Sequence, residues 1–241
     1  MRPRILEICV DDAEGLTAAV KGGADRIELC SSLGSGGLTP SRGFMELAAR
    51  APIPVHALIR PRIGDFVYGE DDIGIMIADI EAARTAGLAG VVLGAARAPG
   101  VLDRPVLQRL VSAAQGLDLT LHRAFDVVDD FDAALELAVE LGFSRILTSG
   151  GARHADAGLE TLARLSRRAG GRISIMPGGG VRPGNVARLL AIPGISDVHA
   201  SSSQPRAADR RLVEFGFVGE EMRQTDEATV RALKTALQLA P

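Results

Sequence analysis

Short apolar, β-branched runs alternate with longer Ala- and Leu-rich amphipathic runs from one end of this chain to the other. Strands are predicted at about 5–10, 26–30, 54–59, 90–94, 118–122, 144–148, 172–176 and 195–200. Helices are predicted at 12–22, 41–51, 70–87, 103–115, 129–141, 157–170, 184–191 and 225–239. Strand followed by helix, eight times in 241 residues, gives a period of about 30 residues, the rhythm of parallel βαβ units. Eight such units in one chain fit a single-domain (β/α)8 TIM barrel over residues 1–241 better than a doubly wound sheet. The dinucleotide-binding alternative lacks its fingerprint. Neither Gly34-Ser-Gly36-Gly37 nor Gly178-Gly179-Gly180 has the G-x-G-x-x-G spacing.

Local chemistry marks the helix ends. Asp11 and Asp12 can cap the first helix, and Gly22-Gly23 ends it. Thr39-Pro40-Ser41 starts the second and Asp129-Asp130 the fifth. Thr225 is expected to start the last, with Asp226 and Glu227 in a first turn where the helix dipole favours anions. Residues 201–224 show little pattern of either kind.

Composition removes several function classes. The net charge is −3, there is no Trp, and Tyr68 is the single tyrosine. A nucleic-acid binder would carry a basic excess and stacking aromatics, so none is expected. No apolar run approaches the ~18 residues of a membrane span. Glu7 arrives too early for a secretory apolar region. Two cysteines, Cys9 and Cys30, make no disulfide framework and suit a reducing cytoplasm.

Side chains alternate faces along a strand, and in a barrel one face meets the helices while the other points inward. Leu6, Ile8 and Val10 suit the helix layer, which leaves Glu7 and Cys9 inward. By the same parity Arg26, Glu28 and Cys30 point inward from the second strand, and His56, Leu58 and Arg60 share one face of the third. Thr120 and His122, Ser174 and Met176, and Asp197 and His199 follow on later strands. A purely structural barrel would fill these places with Val, Ile and Leu. Burying unpaired charges costs several kcal/mol each, so these groups must pair with one another or serve a ligand. A self-satisfied network, such as Glu7 with Arg26, is one outcome; a site at the C-terminal ends of the strands is the other.

Cys9 and Cys30 fall on the inward parity near the ends of adjacent strands. Two thiols at similar height could share a soft cation such as Cu(I), with Met176 as a further soft donor; they could equally be small buried hydrophobes. Gly178-Gly179-Gly180 after the seventh strand and Ser201-Ser202-Ser203 after the eighth occupy loops that bind phosphate in many barrels, and Thr148-Ser149 after the sixth could contribute. The only lysines, Lys21 and Lys234, fall in outer helices, so a Schiff-base aldolase is not expected. There is no His-Glu-x-x-His or His-x-His pair to announce catalytic zinc.

Several blocks follow one another along the chain: Leu6-Glu-Ile-Cys-Val-Asp11, Gly22-Gly-Ala-Asp-Arg-Ile-Glu-Leu-Cys-Ser31, Gly36-Gly-Leu-Thr-Pro-Ser41, Ile59-Arg-Pro-Arg62 and Gly64-Asp-Phe66. They continue with His122-Arg-Ala-Phe-Asp126, Arg145-Ile-Leu-Thr-Ser-Gly150, Gly178-Gly-Gly-Val181 and Val198-His199. Together they resemble the CutC family, named for copper homeostasis, over about residues 5–203. Ile63 and Pro177 depart from the usual pattern without removing a polar group.

The resemblance implies a (β/α)8 barrel, a cytoplasmic protein, a homodimer or higher homo-oligomer, and Cu(I) bound by Cys9 and Cys30. No established reaction comes with it. Two functions are therefore carried forward. One is a copper homeostasis protein with copper as its ligand. The other is an enzyme acting on a small anionic or phosphorylated metabolite. In that enzyme Glu7, Glu28 or His122 would do acid–base work. The anion would be held by Arg26, Arg60, Arg123, Asp126, Thr148, Ser149, Gly178, Gly179, Gly180, His199 and Ser201.

Overall fold

In a computed structural model, residues 3–97 and 100–240 are described. Eight parallel strands form the expected barrel. They are β1 (Ile5–Val10), β2 (Arg26–Leu29), β3 (Val55–Leu58), β4 (Gly90–Leu93), β5 (Asp118–Leu121), β6 (Arg145–Thr148), β7 (Ser174–Pro177) and β8 (Asp197–Ala200). From β1 to β7 each strand pairs in parallel with the next, and β8 pairs with β1; β7 and β8 are not hydrogen-bonded but pack side by side to nearly close the ring.

The helices between them are α1 (Ala13–Gly22), α2 (Arg42–Ala48), α3 (Glu70–Ala86), α4 (Arg104–Ala113), α5 (Phe131–Glu140), α6 (Leu159–Ala169) and α7 (Val186–Leu190). Short polar side chains start them as the sequence predicts. Asp12 accepts from Gly15 N, Ser41 from Phe44 N at 3.2 Å, Asp103 from Val106 N at 3.1 Å and Asp130 from Ala133 N at 3.0 Å. Asp11 does not cap the helix. It accepts the Leu33 N–H at 2.9 Å and ties the loop after β2 to the end of β1.

Residues 201–224 are more ordered than their pattern predicts. Ser203–Ala207 and Glu221–Thr225 form an antiparallel hairpin, with a short helix α8 (Arg210–Glu214) at its tip. Ser203–Ala207 is almost wholly exposed and contains Pro205, so it has no apolar alternation to announce a strand. The last helix, α9 (Glu227–Leu239), therefore starts two residues later than expected. Thr225 ends the hairpin, and Asp226 caps the helix by accepting from Thr229 N at 2.8 Å. A second, two-residue hairpin (Ala96–Arg97 with Val101–Leu102) follows β4.

The two strand faces separate as parity requires. Leu6, Ile8, Ile27, Leu29, Val91, Leu121, Ile146 and Val198 belong to one apolar core with the helices. Cys9, Cys30, Leu58 and Val92 form a separate small cluster on the inner face, near the C-terminal ends of the strands.

Candidate functional site

The interior is built in two layers. Register sets the lower one. Glu7 lies opposite Arg26 on β2 and opposite His199 on β8. Arg26 Nε donates to Glu7 Oε2, and Arg26 Nη2 reaches Asp197 Oδ2 at 3.4 Å and the Met176 sulfur at 3.3 Å. On the far side Arg145 donates to Thr120 Oγ1 at 2.8 Å and to Asp118 Oδ2 at 2.6 Å. His56 Nε2 approaches the same Asp118 at 3.7 Å. Glu7 and Arg26 thus satisfy each other, and Met176 is engaged by Arg26.

The upper layer lines a cavity of about 380 Å³ whose walls include Cys9, Glu28, Cys30, Arg60, Phe66, His122, Arg123, His199 and Ser201. His199 joins the layers: its Nδ1 is 2.8 Å from Glu7 Oε1 and its Nε2 is 3.6 Å from Glu28 Oε2. Burial works against the His199 cation, but Cys9, Glu28 and Glu7 around it outweigh burial and hold its pKa well above the usual value. Burial likewise opposes ionisation of Glu7, yet Arg26 and His199 hold that carboxyl well below the ordinary range. Glu28 goes the other way: burial, with Glu7 close by, pushes it up against the pull of His199.

Both cysteines are free and buried. Burial raises the Cys9 thiol despite His199, and burial with the Glu28 carboxylate raises Cys30 well above an ordinary thiol. The ladder pairs Cys9 with Glu28, so Cys30 lies two residues further along the strand direction than the two-thiol reading assumes. Among the described residues, the set whose donor atoms all lie within 4.8 Å of one another is Cys9, Glu28 and His199. Cys30 is outside it.

Arg60 is the unusual cation. It is buried, and its guanidinium donates to three backbone carbonyls: Ser35 O at 3.2 Å, Gly37 O at 2.9 Å and Gly64 O at 2.9 Å. Its Nε has no partner, and among the described residues no carboxylate pairs with it. Phe66 lies against this group, with its ring centre 5.3 Å from the Arg60 guanidinium carbon and 4.9 Å from the His122 ring. His122 fits only because residue 94 is glycine, where an added Cβ would stand 2.6 Å from the imidazole. His122 Nδ1 accepts from Ala124 N at 3.1 Å, and burial beside Arg60 pushes its pKa down to about 4. The ring is therefore neutral near pH 7, its proton sits on Nε2, and that N–H is unpaired.

The other expected anion ligands divide. Arg123 lines the cavity, held by Asp126 at 2.6 Å and Ser149 Oγ at 2.8 Å. Asp126 accepts from Ser149 N at 3.0 Å, Gly151 N at 3.1 Å and the Thr148 hydroxyl, so Asp126, Thr148 and Ser149 brace the loops and do not face the cavity. Gly178 is buried, with its N–H on Thr148 O at 3.0 Å. Gly179 and Gly180 turn the chain at φ of 90° and 74°. Gly180 and Ser201 border a separate groove against α9.

His56 and Arg145 complete the interior, although neither is among the site residues expected from sequence. His56 shares a face with Leu58, a visible signal. Arg145 opens a strand in which Arg145 and Leu147 point inward, and the apolar run Ile146-Leu147 hides which face is which. His154 is exposed, as expected of a loop.

These blocks of sequence have close relatives. The sequence model of the CutC family matches residues 4–204. The chain belongs to the CutC family. A CutC family protein of Agrobacterium fabrum is 58% identical over 237 residues, 98% of this chain and 94% of that one. One of Sinorhizobium medicae is 57% identical over 234 residues, 97% and 96% of the two chains. Among solved structures, the CutC of Streptococcus agalactiae, described in connection with copper homeostasis, superimposes with a TM-score of 0.79 at 33% identity. The match covers 82% of this chain and 98% of that one. A thiamine phosphate pyrophosphorylase of Pyrococcus furiosus, at a TM-score of 0.60 and 15% identity, shares the fold alone. The family match ends at residue 204, so the hairpin that begins at Ser203 and α9 lie almost wholly beyond it.

Proposed function

We propose that this CutC-family chain binds a small anionic metabolite at the mouth of its barrel and acts on it by acid–base chemistry. Arg60 carries this reading. A buried guanidinium with neutral carbonyl partners and no carboxylate leaves a positive charge uncompensated, and beside it stands the unpaired His122 N–H. Removing one charge of a buried pair costs roughly 3–5 kcal/mol, so an interior cation of this kind implies an anion that completes it.

The acid–base groups are on the facing wall. His199 holds a proton between Glu7 and Glu28, and Glu28, raised by burial, can take or return one. Glu7 orients His199 from below. His122 serves as a neutral N–H donor toward developing negative charge rather than as the base. Arg123 and Ser201 edge the same cavity. A thermal-shift panel of inorganic phosphate, sulfate and small carboxylates on the purified chain tests this. Stabilisation that is lost in Arg60→Met supports it; a flat response to every anion overturns it.

Copper is the second reading, favoured by two free thiols in one small cluster and by the description of the Streptococcus relative. In it Cys9 and Cys30 bind Cu(I) as thiolates, which requires deprotonating two thiols that burial raises. Anaerobic Cu(I) titration decides: binding abolished in Cys9→Ser plus Cys30→Ser supports the assignment, and binding that survives removes it.

A cytoplasmic location and a homodimer or larger assembly go with either reading. Two unbridged cysteines support the first; light scattering of the purified chain tests the second. No helix among the described residues is long and apolar enough to cross a membrane.

A further inference from the structure

Three adjacent strands, β8, β1 and β2, bring one donor atom each to a single point of the cavity wall. Cys9 offers sulfur, Glu28 oxygen and His199 nitrogen, with all three atoms within 4.8 Å of one another. Ligand bonds of about 2.0–2.3 Å place tetrahedral neighbours roughly 3.3–3.8 Å apart, so a contraction of about an ångström closes the set on an ion. No sequence motif announces it, because the three residues come from separate strands.

Two further features belong to a metal centre rather than to chance proximity. Glu7 Oε1 holds His199 Nδ1 at 2.8 Å, which turns Nε2 toward Glu28 and Cys9, and Glu7 is itself fixed by Arg26. A carboxylate behind a ligating imidazole is the usual support of such a site. In addition, all three residues line the 380 Å³ cavity, which leaves room beside the cluster for a fourth ligand. Three protein ligands and one open position are the arrangement of catalytic rather than structural zinc.

We propose that Cys9, Glu28 and His199 form a site for a borderline divalent cation of the zinc class, with its fourth position open to the cavity. A mixed sulfur, oxygen and nitrogen set suits such an ion better than Cu(I), which favours sulfur alone. Cys30, packed with Leu58 and Val92, takes no part. The proposal rests on the reading of the cavity as an anion site. The ion displaces the protons of Cys9 and of His199 Nε2, so in the metal-bound chain Cys9, Glu28 and His199 are ligands rather than acid–base groups. The open position meets an oxygen of the bound anion, and Arg60 meets another.

Anaerobic titration of the chelator-stripped full chain with Co(II), read by thiolate-to-cobalt charge-transfer absorption, tests it. The expected result is one cobalt per chain with the absorption present. Cys9→Ser and Cys9→Ala lose the band. Glu28→Gln and His199→Gln weaken binding at least about 10-fold. Cys30→Ser keeps both band and affinity. No thiolate band in the unaltered chain overturns the proposal, and that measurement depends on no variant folding. A band lost in Cys30→Ser, or undiminished affinity in His199→Gln and Glu28→Gln, also overturns it. The phosphate thermal shift, run in chelator, separates the two claims: a response there with no cobalt band leaves the anion site and removes the cation site.

Discussion

His199 Nδ1 lies 2.8 Å from Glu7 Oε1, and the two residues face each other across the β1–β8 ladder. This contact links the mouth of the barrel to its floor. Above it stands Glu28; below it run Arg26, Asp197, Arg145 and Asp118, alternating in charge. Each charge is offset by a neighbour, which is how an interior that lacks the usual aliphatic filling can fold at all. Arg60 is the exception at the top, and that exception is where a ligand is required.

Glu7→Gln tests the link. Glu7 is fully buried, and its neutralisation leaves Arg26 with Asp197 at 3.4 Å and the His199 cation with Glu28 at 3.6 Å as their remaining carboxylates. The expected loss is about 3–5 kcal/mol in urea unfolding at pH 7. A loss below about 1 kcal/mol contradicts the paired network.

Acid should weaken the fold before Glu7 titrates. His56, by burial and then by Arg145 and Arg26, and His122, by burial and then by Arg60, both fall to about 4 from an ordinary 6.5. Each is therefore neutral in the fold where the unfolded chain is protonated. Through these two histidines the unfolded state binds more protons between those values, so their contribution to stability falls as pH drops from 6.5 toward 4, while Glu28, held up in the fold, acts in the opposite sense. Glu7, held low in the fold, adds stability above its ordinary value of 4.5 that is lost only at lower pH. Urea midpoints from pH 7 to pH 4.5 read the first effect, and His122→Asn should flatten the slope.

The strand–helix rhythm and strand parity make the barrel and its inward residues legible in the sequence. Glu7, Arg26, Glu28, His122 and His199 all face the interior. Parity says nothing about register, however. Cys9 and Cys30 look level in sequence, whereas the ladder puts Cys9 opposite Glu28. Partners are hidden too: Asp126 reads as a ligand-binding carboxylate until Ser149 N, Gly151 N and Thr148 are seen to occupy it. The hairpin at Ser203–Ala207 is invisible in sequence because its exposed residues carry no apolar period.

Asp126→Ala should therefore act on stability more than on chemistry. It leaves two loop N–H groups and the Thr148 hydroxyl without this acceptor, while the Ser149 hydroxyl keeps Ala152 O and the Arg123 guanidinium keeps Ser149 Oγ and Ala152 O. Unpaired buried donors cost about 1–3 kcal/mol each, and partial access to water limits the sum to about 2–5 kcal/mol. Urea unfolding reads this; an unchanged midpoint contradicts the bracing role.

Two glycines offer a matched pair. An added Cβ at Gly158 would lie 1.9 Å from Ser149 O, whereas one at Gly74, within α3, meets nothing within 4 Å. Gly158→Ala should cost several kcal/mol by pushing the loop after β6 away from Arg123. Gly74→Ala should stabilise by about 0.5–1 kcal/mol through helix propensity. A thermal midpoint that does not fall in Gly158→Ala contradicts the first assignment, and one that falls in Gly74→Ala contradicts the second.

The most direct measurement is nitrogen NMR of histidine-labelled protein near neutral pH, with and without inorganic phosphate. For chelator-treated, metal-free protein the expected spectrum shows a neutral His122 protonated on Nε2, a doubly protonated His199, and a phosphate-dependent shift of the His122 Nε2 resonance that disappears in Arg60→Met. A His122 signal unmoved by phosphate, or one that moves equally without the Arg60 guanidinium, would contradict an anion site at the barrel mouth.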